Sequence, residues 1–287
     1  MLDVRRVLAP NPSVETLEGT NTWIVGRDPS IVIDPGPDHP GHLDEVAREA
    51  SPVAVVLVTH DHPDHAPGAR PFAERTAAPV HAMRLAGAER LRAGQLFRGG
   101  GVDLAVLPTP GHSSDHVAFF DEASGALFTG DAVLGRGTSF IDPPDGDLVR
   151  YLRSLHRMLG LSPKTIYPGH GPVVLRPVEV LEGYLAHRQE REDQILGAIV
   201  DEPRAIEAIV ETVYADHGPE VYPLAARSVL AHLLKLEDEG RVERSSSKPD
   251  ARWTPSTPRR CARCGRLVKG RARYCPSCSL AMLQSGG

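Results

Sequence analysis

A dense cluster of histidine and aspartate directly follows one apolar segment of the chain. Residues 53–58 are all apolar and mostly β-branched, a composition that predicts a buried strand. The strand ends in a polar segment with the sequence Thr59-His60-Asp61-His62-Pro63-Asp64-His65. Nearly every side chain in this segment offers a nitrogen or oxygen atom that binds metal ions. A loop held by a rigid strand is a usual place for a catalytic site, so the fold must bring the remaining ligands to this loop.

Three later apolar segments also end at a histidine or an aspartate. Those residues are His112, Asp131 and His170. Between the strand-like segments lie stretches with a helical spacing of apolar residues, at 41–50, 66–76, 148–159 and 178–200. Asp145 is the predicted N-cap of the third helix. Strands that alternate with helices predict layered α and β structure, in which loops at one edge of the sheets can converge.

The spacing of these side chains predicts two metal sites that share one carboxylate. His60 and His62 lie two residues apart in an extended segment, so both side chains point the same way. We expect the first site to consist of three histidines, namely His60, His62 and His112. We expect the second site to consist of Asp64, His65 and His170. Asp131, the one carboxylate at the end of its strand, would bridge the two ions.

Two divalent ions held in this way would make the protein a hydrolase. Ions about 3.5–4 Å apart lower the pKa of a bridging water and stabilise the oxygen that gains charge in the transition state. We therefore expect a bridging hydroxide to attack an ester-type bond, with Asp64 and Asp131 as catalytic residues. Two Zn²⁺ ions are the expected cofactors, although manganese or iron would also fit these ligands. His116, four residues after His112, is expected to support the site without binding metal.

Four segments resemble, in chain order, the motifs of the metallo-β-lactamase superfamily. They are residues 60–65, 110–112, 129–131 and 168–171. The resemblance covers roughly residues 1–195, within a predicted catalytic domain of residues 1–197. It implies an α/β (α+β) fold, a four-layer αββα sandwich with a dinuclear site at one edge. Asp131 stands where true β-lactamases carry cysteine, which is similar to the glyoxalase II and ribonuclease Z side of the superfamily. Antibiotic hydrolysis is therefore not expected.

A closer resemblance, to the lactamase-β-2 type proteins, rests on further segments. They are residues 19–22, 130–135, 167–172, 184–188 and 235–240. This family includes endoribonucleases that act on single strands, and its members carry a small winged-helix domain after the sandwich. Residues 198–254 fit such a domain, because two helical segments are followed by a polar hairpin.

Three residues outside the metal ligands are expected to contact the substrate. They are Asn21, His187 and Arg188, and His187 is also expected to be catalytic. His187 and Arg188 lie on the helix after His170, where they would face a phosphate group. The alternative is that the basic residues of this helix, Arg191 above all, form ion pairs on the surface.

Three functions are compatible with these patterns. The first is cleavage of a phosphodiester of single-stranded RNA, as the family resemblance implies. The second is hydrolysis of a small acyl thioester by a glyoxalase II-like or acyl-carrier thioesterase, which the same metals would serve. The third is a non-enzymatic platform for the tail, against which the complete set of seven ligands argues.

The last segment of the chain carries all four cysteines. Cys261, Cys264, Cys275 and Cys278 form two CxxC pairs ten residues apart, which predicts one structural Zn²⁺ in a four-cysteine zinc ribbon over residues 258–287. Two disulfides are the alternative, but nothing in the sequence indicates export.

The charge of the chain is unevenly distributed. Residues 241–287 hold eleven Lys/Arg and two Asp/Glu, whereas residues 1–240 hold 21 Lys/Arg and 35 Asp/Glu. A basic tail on an acidic body predicts an anionic partner, with single-stranded RNA or another nucleic acid as the first candidate. The alternatives are a solvated tail and a ribbon that docks on protein.

Without an apolar leader or a run long enough to span a membrane, we expect no membrane partner and a cytoplasmic protein.

Overall fold

The computed structural model describes residues 2–50, 52–248, 250–256, 259–260, 262–264 and 267–268. The chain forms two units, residues 1–185 and residues 186–287. Three of the four cysteines of the predicted zinc ribbon, Cys261, Cys275 and Cys278, lie outside the described residues. The ribbon therefore stays a prediction.

The first sheet contains six strands that are neighbours in the order of the chain. They are β1 (Val4–Leu8), β2 (Asn21–Val25), β3 (Ser30–Ile33), β4 (Val53–Leu57), β5 (Val80–Ala82) and β6 (Glu89–Arg90). The first three strands are antiparallel, and β3 to β6 are parallel. Parallel neighbours need a crossover, which helices α1 (Pro40–Ala50) and α2 (Ala69–Thr76) supply between β3, β4 and β5.

The second sheet contains five strands in the order β11-β10-β9-β8-β7. They are β7 (Leu96–Gly99), β8 (Val102–Pro108), β9 (Val117–Asp121), β10 (Ala126–Gly130) and β11 (Thr165–Pro168). Only β10 and β11 are parallel, and helix α3 (Leu148–Gly160) connects them. The prediction that Asp145 caps α3 is wrong, because the side chain of Asp147 accepts the hydrogen bond from the Arg150 N–H.

The two sheets pack face to face on one hydrophobic core. Leu57 from the first sheet and Phe128 from the second point into it. Val56 and Val58 point to the opposite face of the first sheet, where they pack with Phe72 of α2. The apolar run 53–58 thus reflects a strand that is buried on both faces. Each such buried side chain contributes about 1.5–3 kcal/mol to stability.

The predicted ligand loops meet at one edge of the two sheets, which we call the ligand edge. These loops follow the carboxyl ends of β4, β8, β10 and β11. Backbone hydrogen bonds tie the loops together, since the N–H of Val117 donates to the carbonyl of Thr59 at 2.9 Å and that of Gly169 donates to Gly130 at 2.8 Å. Main-chain hydrogen bonds therefore hold loops that are distant in sequence next to one another.

The second unit is built from helices and a hairpin, as the sequence predicts for residues 198–254. Its described elements are α4 (Pro177–Ala198), which begins in the first unit, α5 (Ile206–Val213), a 3₁₀ turn (Pro219–Val221), α6 (Tyr222–Asp238), β12 (Val242–Arg244), β13 (Trp253–Pro255), β14 (Arg259–Arg260) and β15 (Leu267–Val268). The chain divides into its two units after Leu185, and Ile195 and Ile199 pack in the core of the second unit. The boundary at residue 197 between the catalytic and winged-helix domains stays a prediction.

None of the helices among the residues with described structure combines the length and the apolar character that a membrane crossing requires.

Candidate metal centre

The structure brings the seven predicted ligands together in the two groups that their spacing indicates. The first group consists of His60, His62 and His112. The second group consists of Asp64, His65, Asp131 and His170. Within each group the candidate ligand atoms all lie within 4.8 Å of one another. That separation is compatible with one ion bound by each group.

Asp131 faces both groups at once. Its Oδ1 lies 3.3 Å from Nε2 of His65 and 3.3 Å from Nε2 of His170, in the second group. Its Oδ2 lies 3.7 Å from Nε2 of His112 and 4.0 Å from Nε2 of His60, in the first group. The carboxylate therefore directs one oxygen to each group, so that it could contact an ion held by either group.

Outward hydrogen bonds orient three of the ligand histidines. Nδ1 of His112 donates to the carbonyl of Phe140 at 2.7 Å, and Nδ1 of His170 donates to the carbonyl of Gly19 at 3.2 Å. Nδ1 of His65 lies 2.9 Å from Oδ2 of the buried Asp34. Because each outward partner is an acceptor, the proton of the neutral ring sits on Nδ1. The lone pair of Nε2 then points inward, as metal-binding histidines require.

His60 is oriented in the same way through a relay that begins at Asp34. The hydroxyl of Thr59 donates to Oδ2 of Asp34 at 2.7 Å, so its oxygen accepts from Nδ1 of His60 at 2.9 Å. Oδ1 of Asp34 also accepts the backbone N–H of Thr59 at 2.7 Å. Asp34 thus sets the tautomer of one histidine in each group, directly for His65 and through Thr59 for His60.

The inward-facing atoms fit metal ions. Nε2 of His60 and Oδ1 of Asp131 are buried without a hydrogen-bond partner among the described residues. Two pairs of ring nitrogens face each other, His112 Nε2 with His62 Nδ1 at 3.1 Å and His65 Nε2 with His170 Nε2 at 3.2 Å. Two nitrogens bound to one tetrahedral zinc are about 3.3 Å apart. Both pairs therefore have the spacing that a shared ion imposes.

The electrostatics of the second group favour positive charge at its centre. Burial lowers the pKa of His170, but Asp131 and a hydrogen bond with Asp64 outweigh it and raise that pKa to about 9. Burial also lowers the pKa of His65, but Asp64, Asp131 and Asp34 raise it well above the usual value. Burial raises the pKa of Asp131, whereas His65 and His170 bring it well below its usual value. A divalent cation would supply the same positive charge without these protons.

Burial dominates in the first group. It lowers the pKa of His60 well below the usual value, and His65 and His116 lower it further. Burial also lowers the pKa of His112. Both rings are therefore neutral at pH 7, which is the form that binds metal.

His116 supports the centre through a hydrogen bond with the backbone of Asp131, as expected. Its Nε2 accepts the backbone N–H of Asp131 at 3.2 Å, so its Nδ1 carries the proton and donates to Thr109 Oγ1 at 2.8 Å. Burial lowers the pKa of His116 well below the usual value and keeps it in this neutral state. The contact holds the backbone of the bridging carboxylate in place.

Two glycines allow the ligand loops to approach so closely. A Cβ at Gly130 would lie 2.6 Å from Thr59 Oγ1 and 2.9 Å from Nε2 of His116, and its φ of +46° is also unfavourable for other residues. A Cβ at Gly169 would lie 2.5 Å from Oδ1 of Asp131. Glycine precedes Asp131 because a side chain there would clash with the supporting residues Thr59 and His116, and it precedes His170 because a side chain there would clash with the candidate ligand Asp131.

Sequence reasoning did not identify Asp34 as a functional residue. Asp34 directly follows β3, which is parallel to the strand that precedes the histidine loop. The signal available in the sequence was a carboxylate at the end of an apolar strand, the same signal that identified Asp131. Asp34 is almost completely buried, and a buried carboxylate needs partners, which His65 and Thr59 provide.

The three predicted substrate residues lie in different surroundings. The side chain of Asn21 is fully buried, and its amide donates to the carbonyls of Pro168 and Gly171 at 3.0 and 2.9 Å. Asn21 therefore holds the loop that carries His170, and its contact with a substrate stays a prediction. His187 and Arg188 lie on α4 in the second unit, where burial, followed by Arg188 and Arg191, lowers the pKa of His187. Their contact with a substrate stays a prediction.

Comparison with known proteins agrees with this architecture. The metallo-beta-lactamase superfamily matches residues 16–170, and the beta-lactamase associated winged helix domain matches residues 205–253. The winged-helix prediction for the second unit is thus confirmed. The chain is similar to the Beta-lactamase-like protein 2 homolog of Drosophila melanogaster, with 36% identity over 270 residues, which cover 85% of this chain and 91% of that protein.

Solved structures share the fold. A beta-lactamase domain protein from Burkholderia ambifaria is 23% identical and has a TM-score of 0.78, covering 88% of this chain and 91% of that chain. A protein named TTHA1623, solved in a di-iron-bound form, is 28% identical with a TM-score of 0.50, covering 61% of this chain and 96% of that chain. With the match over residues 16–170 and the histidine and aspartate centre, the chain belongs to the metallo-beta-lactamase superfamily of metal-dependent hydrolases.

Proposed function

We propose that the protein is a dinuclear metal-dependent endoribonuclease that cleaves phosphodiesters of single-stranded RNA. The observation that carries the dinuclear part is the position of Asp131, which directs one carboxylate oxygen to each of two complete ligand groups. When bound, two divalent cations supply a nucleophile at neutral pH and neutralise charge on the reacting oxygens. Zinc suits the mixture of histidine and carboxylate ligands, and the di-iron form of TTHA1623 supports iron as an alternative.

The two carboxylates of the centre have different roles in this proposal. The side chain of Asp64 is 24% exposed and that of Asp131 is 12% exposed, so Asp64 is the more accessible to an attacking water. Burial raises the pKa of Asp64, but the charge of His65 and a hydrogen bond from His170 bring that pKa below its usual value. The carboxylate is therefore ionised at pH 7 and can accept a hydrogen bond. Asp64 orients the nucleophile, while Asp131 holds the two ligand groups at a fixed separation.

The preference for RNA depends on features outside the centre. The associated winged-helix domain and the excess of basic over acidic residues in residues 241–287, eleven against two, favour a nucleic acid over a small acyl thioester. In the second unit, His187 and Arg188 are candidates for contacts with phosphate. Burial and the neighbouring arginines lower the pKa of His187, which favours the neutral ring at pH 7.

Incubation with a labelled single-stranded RNA tests this function. The protein, prepared with two equivalents of zinc or manganese in the catalytic site, should cleave the RNA, and a chelator should abolish cleavage. His112→Asn should be inactive, whereas His156→Asn, which changes an exposed histidine outside the centre, should retain activity. This matched pair separates cleavage by the protein from cleavage by a contaminant.

The same preparation should be offered acyl-glutathione and acyl-carrier thioesters. Rapid thioester hydrolysis with intact RNA would overturn the ribonuclease and support the alternative thioesterase, which the same ligands would serve.

A further inference from the structure

Three arginines mark the continuation of the ligand edge beyond the histidine loop. Leu57 of β4, His81 of β5 and Glu89 of β6 are register partners in neighbouring parallel strands. Three residues after each of them come His60, Arg84 and Arg92, respectively. Because the carboxyl ends of parallel strands meet at one edge, Arg84 and Arg92 lie on the same edge as the metal ligand. Neighbouring strands are about 4.8 Å apart, so the ends of β5 and β6 lie progressively farther along this edge from the end of β4.

Side-chain contacts place Arg84 beside the first ligand group. Its guanidinium donates to the hydroxyl of Ser114, two residues after the ligand His112, and lies 3.6 Å from Oδ1 of Asp145. Asp145 also accepts the backbone N–H of Ser114 at 3.1 Å, so it fixes both partners. The Arg84 side chain remains 56% exposed. It is therefore a positioned cation at the rim of the centre, and not a buried structural one.

Arg90 and Arg92 extend this charge to a groove. They line a cavity of about 720 Å³ together with Glu89 and residues 93–95. Both arginines are exposed, and neither is paired with a carboxylate within the part of the chain that the structure describes. Residues 1–240 hold 21 Lys/Arg against 35 Asp/Glu, so unpaired arginines at this edge stand out from an acidic body.

We propose that Arg84, Arg90 and Arg92, which we call the arginine strip, bind backbone phosphates of single-stranded RNA on one side of the scissile bond. This proposal rests on the proposed ribonuclease function and adds the path of the substrate. Guanidinium groups bind phosphate oxygens in pairs, and several separate cations along an edge suit a polymer with regularly spaced charges. A small acyl thioester would need a single anion contact and would leave most of the strip unused.

A triple variant, Arg84→Gln with Arg90→Gln and Arg92→Gln, tests the strip in the full-length, metal-loaded protein. The substrates are a labelled 12-nucleotide single-stranded RNA and bis(p-nitrophenyl) phosphate, a diester too small to span the strip. In this variant, KM for the RNA should rise by a factor at least ten times larger than the factor by which KM for the small diester changes. Each lost phosphate contact should reduce the slope of log affinity against log salt by about 0.7, so the slope should fall by about 2.

Two further variants make the test specific. Arg27→Gln with Arg48→Gln and Arg98→Gln removes the same charge from exposed arginines, with side-chain exposures of 64%, 71% and 71%, outside the strip. This control should leave KM for the RNA within twofold. Lysine at all three strip positions keeps the charge and should restore most of the RNA affinity, which a purely structural role of Arg84 would not predict.

The outcomes separate this proposal from the proposed function. If the wild-type protein cleaves the RNA and the strip variant has an unchanged KM and salt slope, the strip proposal alone is overturned. If the wild-type protein does not cleave RNA, the ribonuclease function fails. Fluorescence anisotropy of the same labelled RNA then still tests the strip. Loss of RNA binding in the glutamine variant, but not in the control or lysine variants, supports the strip. Unchanged binding in the glutamine variant, or no binding by the wild type, refutes it. Loss of acyl-carrier turnover with unchanged RNA binding would also refute it.

Discussion

The carboxylate of Asp34 lies 2.9 Å from Nδ1 of His65, a ligand-type histidine whose Nε2 faces the candidate metal centre. Asp34 is 1% exposed and His65 is fully buried, so solvent cannot replace either partner. The contact determines which ring nitrogen of His65 is protonated. Asp34 is therefore placed to control a candidate metal ligand without being a ligand itself.

Asp34→Asn should weaken metal binding without removing a ligand. The substitution takes away the anionic acceptor for His65 and for the Thr59 hydroxyl, and partners of this kind contribute about 10–100-fold to metal affinity. Competition with a chromogenic chelator measures the affinity for each ion. Asp44→Asn, at an aspartate whose side chain is 70% exposed, is the control and should leave affinity unchanged. Equal affinities in both variants would contradict the role of Asp34.

Metal uptake at neutral pH should release protons. Burial lowers the pKa of His170 in the protein without metal, but Asp131 and Asp64 raise it to about 9, so its ring is protonated at pH 7. A metal can bind Nε2 only after that proton leaves, and affinity should therefore fall as the pH falls from about 9 to about 6. Calorimetric titration in buffers of different ionisation enthalpy counts the protons. Release of at least one proton per chain is expected, and release of none would contradict the arrangement of the second group.

The full chain should bind three zinc ions. Two belong to the ligand groups of the centre and the third to the predicted four-cysteine ribbon. Elemental analysis should show three zinc ions per chain for the wild type and two after Cys261→Ser with Cys264→Ser. A count of one for the wild type would be incompatible with the dinuclear centre, and an unchanged count in the serine variant would remove the ribbon.

His232 should make the second unit sensitive to acid. Both ring nitrogens are buried without a hydrogen-bond partner among the described residues. Burial lowers the pKa of His232 to about 3, and Arg188 and Lys235 contribute in the same direction. Between the usual pKa of about 6.5 and the folded value of about 3, the unfolded chain binds a proton that the folded protein does not bind. The free energy of unfolding should therefore decrease as the pH falls through this range, by up to about 1.4 kcal/mol per pH unit.

His232→Leu should remove this component of the pH dependence. Urea unfolding at pH 7, 5.5 and 4.5 compares the two proteins, and the advantage of the leucine variant should grow as the pH falls. At pH 7 the variant should be no less stable than the wild type, because leucine leaves no buried polar atom unpaired. A difference in stability that does not change with pH would show that the pKa of His232 is the same in the folded and the unfolded protein.

Glu192 should be essential for the stability of the second unit. It is 3% exposed, and its carboxylate binds Nζ of Lys235 at 2.5 Å and the guanidinium of Arg241. Glu192→Gln removes the buried anion that Lys235 and Arg241 share and leaves them only Glu239. The loss should therefore stay below the about 3–5 kcal/mol that disruption of a fully buried pair costs. Urea unfolding should show this loss, whereas Glu190→Gln, at an exposed position on the same helix, should change stability by less than about 0.5 kcal/mol. Equal effects would show that the ion pairs do not stabilise the unit.

The ligands could be predicted from the sequence because each of them follows the end of an apolar strand. Strand β4 and its loop, 53–65, illustrate this, since the buried run and the polar residues after it are adjacent in the chain. The supporting residues were harder to predict. Asp34 was not predicted as a functional residue, and the hydrogen bonds by which the Asn21 amide holds the loop of His170 were not foreseen. A hydrogen bond between residues about 150 positions apart leaves no local pattern.

Local hydrogen bonds also decided details that composition could not. Asp145 and Asp147 are equally suited to cap α3, and the backbone geometry selected Asp147. Asp145 instead binds Ser114 and Arg84, which joins two loops at the ligand edge.

The boundary between the units lies inside α4 because the end of that helix packs with the second core, and a continuous helix shows no break in its sequence.

By itself the sequence determined the ligand types, their spacing and the strands that lead into them, since these depend on residue chemistry and on neighbours along the chain. Only the tertiary structure decided that Asp131 turns one oxygen to each ligand group, that Asp34 orients His65 and His60, and that Arg84 lies beside the loop of His112. Those relationships depend on distances between loops at the ends of different strands. Such distances are set by the packing of the two sheets on their shared core, which no single segment of the chain encodes.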